Sequence, residues 1–192
     1  AKLGIYEELM TQVGLNSFSV LNMLNTKYLI SRQKLTGALL APVIESEQGN
    51  LYRNVTALPR AFLVDSLMVI TSKTSIFETM KQPAFNPETV AILEEPIETS
   101  LGPVASSKVA LTNYTPHRID IMVETSAPAL LVLSEVYYPA GWSAIIDGEP
   151  TKIYKTNYVL RSVVVPAGQH DITFIFEPSS FNIGHTLSLI SS

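Results

Sequence analysis

Apolar residues recur at helical spacing only near the start of the chain. Ile5, Leu9 and Val13 stand at i, i+4 and i+8, one face of a helix, and Gly14 ends the run. Asn16 or Ser17 can cap a second helix carrying Phe18, Leu21 and Leu24. From there the period shortens. Residues 27–31 predict a strand, 39–44 and 49–53 a hairpin turning at Glu47-Gln48-Gly49-Asn50, and 61–64 and 67–70 two further strands. Ser75-Ile76-Phe77-Glu78 places a hydroxyl three residues before a carboxylate. That capping-box arrangement predicts a short helix near 75–81, which Pro83 and Pro87 stop. Residues 89–93 predict another strand.

The stretch 94–103 is polar and carries two prolines and a glycine, so it is the best candidate linker. Beyond it the period is two. Ile119, Ile121 and Val123 alternate with Asp120, Met122 and Glu124. Leu130-Leu131-Val132-Leu133 is apolar on both faces and suits a central strand. Residues 142–147 alternate and end in Asp147-Gly148, a turn signal. Residues 158–165 and 172–176 complete the set, separated by Pro166-Ala167-Gly168-Gln169. The pattern predicts an α+β part over residues 1–100, then an all-β antiparallel sandwich of jelly-roll or Ig-like type over 101–180. Phe181 to Ile190 reads like the first turns of an apolar helix cut short, so the chain is expected to be an excised piece, with Ala1 a cloning remnant; no uncharged apolar stretch reaches the roughly 18 to 20 residues that cross a bilayer.

Composition narrows the function classes. Of 192 residues, 46% are hydrophobic and only 16% charged, so the chain has apolar surface enough to build a core. Thirteen basic and seventeen acidic residues give a net charge of −4 with no basic run, which removes the electrostatic drive for nucleic-acid binding. There is no cysteine, hence no disulfide framework, thiolate metal site or cysteine nucleophile. His117, His170 and His185 have no metal-ligand spacing, and neither a phosphate loop nor a G-x-S-x-G motif occurs; no cofactor is expected.

The densest chemistry is Ser134-Glu135-Val136-Tyr137-Tyr138-Pro139-Ala140-Gly141-Trp142, three large aromatics within six positions. Flat rings beside an acid suit a sugar, whose C–H face packs on a ring while its hydroxyls seek acceptors. The simpler alternative is that these rings close one end of the core. Glu135 follows a buried run and needs a partner, for which Arg161 is a candidate in a structural ion pair. Asp147 reads first as a turn residue. With Glu135 and Asp171 it could supply acid–base chemistry only if the carboxylates converge.

The same segment carries a resemblance. Residues 131–142, followed by Ile146-Asp147-Gly148, look like the C-terminal region of the YfhO family of bacterial membrane proteins. Residues 157–170 and 176–184 follow that family's order of motifs, and Leu24 to Ile30 and Ala57 to Phe62 also resemble it. Ala140 departs from the family's more usual Tyr-Pro-Gly-Trp. The resemblance implies a polytopic protein similar to GT-C glycosyltransferases, which move sugar from a polyprenyl-phosphate donor on the outer side of the cytoplasmic membrane. It implies that this chain is a noncatalytic extracytoplasmic portion placed before a final membrane helix, whose truncated start is 181–192, with no catalytic residue to carry over. Its expected partners are the transmembrane part of the same protein, the membrane surface, and a glycan or glycolipid acceptor held by Glu135, Tyr137, Tyr138, Trp142 and Asp147. The alternatives are a stand-alone carbohydrate-binding sandwich and a hydrolase with paired carboxylates.

Overall fold

A computed structural model describes residues 2–14 and 17–178. The membrane span expected at 181–192 lies outside the described residues. Two helices open the chain, α1 (Lys2–Val13) and α2 (Phe18–Met23). Gly14 takes the left-handed conformation (φ 86°) just past α1, and the Ser17 hydroxyl accepts from the Val20 N–H at the start of α2. Three strands follow, β1 (Tyr28–Ser31), β2 (Leu40–Ser46) and β3 (Gly49–Asn54), forming an antiparallel sheet in the order β1-β3-β2. Next come β4 (Ala61–Val64), β5 (Ser66–Val69), α3 (Lys73–Lys81) and β6 (Val90–Leu93). The hydroxyl that caps α3 is Ser72, accepting from the Ser75 N–H, so the helix starts three residues before the capping box in the sequence suggests.

The second half is all strand: β7 (Lys108–Tyr114), β8 (Arg118–Thr125), β9 (Ala129–Val136), β10 (Trp142–Ile146), β11 (Glu149–Thr151), β12 (Tyr154–Thr156), β13 (Leu160–Val165) and β14 (Gly168–Phe176). They build a five-stranded sheet, β11-β10-β14-β8-β7, and complete a six-stranded one, β4-β9-β13-β12-β6-β5. Hydrogen bonding in the six-stranded sheet therefore crosses residue 100. β4 pairs with β9, and β6 touches β12 through Thr156 and Leu93. All pairings are antiparallel except β5 with β6, which α3 joins as a crossover.

The molecule is mostly β, in layers. Leu63, Leu131, Leu133, Val163 and Val165 from the six-stranded sheet meet Ile119, Ile121, Ala144, Ile172 and Phe174 from the five-stranded one. On the opposite face, Phe62, Val64, Leu130, Val132 and Leu160 pack against Leu9, Val20, Met23, Ile76, Phe77 and Met80 of the helices. Covered on both faces, β9 is buried from Ala129 through Leu133, which is why its sequence is continuously apolar. Glu8 on α1 ties the helical layer together, pairing with Lys73 of α3 and accepting from the Tyr158 hydroxyl.

Candidate functional site: an aromatic cleft beside a buried arginine

The inter-sheet layer ends in polar groups. Arg161 shares the inward face of β13 with Val163 and Val165, yet it lies beyond them where the apolar layer stops. Opposite it the β9–β13 register breaks. Leu160 pairs with Val136 and Arg161 with Leu133, so Ser134 and Glu135 have no partner on β13. A bulge of this kind re-aims side chains next to a sheet edge, and here it turns Glu135 toward Arg161.

The Arg161 guanidinium stacks 4.0 Å above the Trp142 ring and lies 3.9 Å from Glu135 Oε2. That second distance is too long for a hydrogen bond but close enough for Coulomb attraction. Arg161 is 1% exposed, and none of its three guanidinium nitrogens has a hydrogen-bond partner among the described residues. Burial lowers its pKa to about 10, partly offset by Glu135, so the group stays charged at neutral pH. Arg60, just before β4, donates to Glu135 Oε1 at 2.6 Å. The Tyr114 hydroxyl donates to the same oxygen at 2.6 Å. Burial and then that bond raise the Tyr114 pKa, keeping its proton in place. Two guanidiniums against one carboxylate leave the cluster with a positive balance.

The loop after β9 forms the outer wall. Tyr137, Tyr138 and Trp142, with Ser143, Thr151 and Arg161, line a cleft of about 310 Å³, the size class of a small-molecule site. Trp142 and Tyr138 also lean on Phe176, at 5.2 and 6.4 Å between ring centres. The rings are half-buried: they cover the end of the core and also line the cleft. Gly141 turns the loop back at φ 105°, with the exposed Ala140 bulging outward ahead of it.

Of the residues singled out in the sequence, Glu135, Tyr137, Tyr138 and Trp142 come together at this end. Asp147 does not join them. It lies five residues along β10 from Trp142, roughly 16 Å away at about 3.3 Å per residue. There it holds a positive-φ turn with Gly148, accepts from the Asp171 N–H at 2.8 Å and pairs with His170 Nδ1 at 2.6 Å. The His170 contact and then the Asp171 N–H lower the Asp147 pKa, and the same pair raises that of His170. Asp147 and Glu135 thus sit at opposite ends of the sheets and do not converge as an acid–base pair. Arg60 and Tyr114 escaped the sequence reading, because no spacing rule links them to Glu135. Among the described residues no group of three or more His, Asp or Glu is placed to hold a metal ion, and no helix is long and apolar enough to cross a membrane.

A family profile described as bacterial membrane protein YfhO matches residues 79–188, more than half of the chain. The chain belongs to the YfhO family. The matched stretch spans β6 to β14 and with them every residue lining the cleft, whereas the β1–β3 sheet and Arg60 lie before it. Within YfhO this is a β-rich portion, consistent with a domain outside the bilayer. No curated protein and no solved structure matches the chain.

Proposed function

We propose that this chain is a noncatalytic, extracytoplasmic part of a polytopic GT-C-like glycosyltransferase, and that its cleft positions the cell-envelope glycan or glycolipid that accepts the sugar. In this reading the stacked sheets are a β-sandwich of the jelly-roll or Ig-like kind, with ligand-bearing loops gathered at one end, and the body of the domain braces the membrane core. One observation carries it: Tyr137, Tyr138 and Trp142 line a sugar-sized cleft together with Arg161 and the hydroxyl-bearing Ser143 and Thr151. Ring faces take the C–H face of a pyranose and hydroxyls orient it. Membership in a membrane-protein family supports the setting.

The test uses the whole protein in membranes. Trp142→Ala and Tyr138→Ala are expected to cut sugar transfer to acceptor at least tenfold at unchanged expression. Full transfer by both variants would remove the acceptor role. Trp142 is the only tryptophan, so its fluorescence reports on the cleft directly. Titration with neutral and anionic oligosaccharides is expected to quench or shift it, and millimolar or tighter binding by the isolated chain would favour a self-sufficient carbohydrate-binding module.

A further inference from the structure

The β1–β3 sheet wears its polarity inside out. Register places Tyr28, Ile30, Ala41, Ile44, Leu51 and Arg53 on one face. The alternate positions, Leu29, Ser31, Pro42, Glu45, Asn50 and Tyr52, form the other. The covered face is the more polar one: Asn50 is buried, and Tyr52, 1% exposed, takes the Leu35 N–H on its hydroxyl. The aliphatic face is bare. Ile30 is 84% exposed and Ile44 55%, with Tyr28, Val55 and Leu39 open beside them. Single exposed aliphatics are ordinary, but a contiguous set on one sheet face marks a contact surface.

Charge and position say what meets it. No acidic residue shares this face; Glu45 points the other way and pairs with Lys34. Arg53 stands among the aliphatics, and Lys27 lies at their edge, lining a shallow depression with Tyr28 and Val55. Neither cation has an ion-pair partner among the described residues, in a chain whose net charge is −4. The sheet springs from the cleft end of the molecule. Asn54 is bonded to Asn22 and Thr26, Ser134 to Met23 and Arg60, and Arg60 to Glu135. The described chain also leaves there, since Pro178 lies against Gly141. Residues 179–192, which follow, contain no Asp, Glu, Lys or Arg.

We propose that the outer face of the β1–β3 sheet is a membrane-contact surface, which lays Tyr28, Ile30, Ile44 and Val55 at the headgroup–acyl boundary of an anionic bilayer while Lys27 and Arg53 meet lipid phosphates. Interfacial binding of this kind joins buried apolar area to attraction for anionic headgroups, so it depends on lipid charge and on salt. It sets the cleft facing the same bilayer side. It is independent of what the cleft binds.

The chain has no cysteine, so a single introduced thiol labels one place. The 192-residue chain carrying Ile30→Cys, labelled with a polarity-sensitive dye, is mixed with phosphatidylglycerol-rich or with phosphatidylcholine vesicles. Dye emission at position 30 is expected to shift to the blue on the anionic vesicles and to return as salt rises. The same dye on Met122→Cys, exposed on β8, is expected to stay unchanged. Ile30→Ser with Ile44→Ser, and separately Lys27→Glu with Arg53→Glu, are expected to weaken vesicle binding at least fivefold with unaltered thermal melting. Four outcomes overturn the proposal. The chain does not bind vesicles. It binds with position 30 unshifted or with both double variants unimpaired, which assigns binding to another segment. Position 30 is shielded by a concentration-dependent dimer without lipid, which assigns the face to a second copy. Position 30 is already shielded in the lipid-free, detergent-solubilised whole protein, which assigns it to that protein's own helices.

Discussion

Glu135 serves as counter-charge to two guanidiniums at once, one half-exposed and one enclosed. Removing it leaves Arg161 charged, buried and facing only the Trp142 ring. Glu135→Ala is therefore expected to destabilise the fold by about 3–5 kcal/mol in urea denaturation, the usual cost of orphaning a buried ion. Adding Arg161→Met should recover much of that loss, because an apolar side chain of similar length has no charge to compensate. If the double variant were no more stable than the single one, the charge argument would fail. The Glu135–Arg161 contact was legible in the sequence because each is a charged residue in an apolar strand and such groups need partners. Trp142 as the stacking surface was not, since nothing in the spacing of 142 and 161 places a ring over a guanidinium. Asp147, expected beside the aromatics as an acceptor for a glycan, is carried by an extended strand to the far end of the sheet.

At the scale of elements, the loop from β9 to β10 turns on Gly141. Its φ of 105° disfavours any L side chain, and a Cβ there would stand 2.9 Å from both Phe176 Cε2 and Pro178 Cα. Gly141→Ala is expected to lower stability by about 1–3 kcal/mol through strain alone, read as a drop in melting temperature. It should also perturb Trp142 fluorescence, because the next residue is moved. Ala140→Gly, in the exposed bulge, is expected to do neither. Strands with clean alternation or a continuous apolar run, β8, β9 and β10, could be read directly. β7 could not, for Lys108 to Tyr114 mixes polar and apolar residues and carries a register shift between Leu111 and Asn113. Nor could the orientation of the β1–β3 sheet, because alternation shows that two faces differ without saying which is turned outward.

For the whole molecule, the polar stretch 94–103 marks a passage between sheets, while the six-stranded sheet takes strands from either side of it. A fragment of residues 101–178 would lose β4 from β9, β6 from β12 and every helix that covers Leu130 and Val132. It is expected to lack the sharp urea transition and dispersed amide spectrum of the complete chain, and a cooperatively folded fragment would show the later strands to be autonomous. Local patterning announced a β-rich chain, but partnership across seventy residues leaves no local trace. The pairing of Phe62 with Val132 has a consequence for biogenesis. A chain delivered from its N-terminus presents β4 and β6 before β9, β12 and β13 exist. Until roughly residue 165 has emerged, those early strands hold open hydrogen-bonding edges and uncovered aliphatic side chains, a slow step for folding and an exposed one for aggregation. The helices can hide one side of them in the meantime, and the other must wait for the rest of the polypeptide or borrow a chaperone.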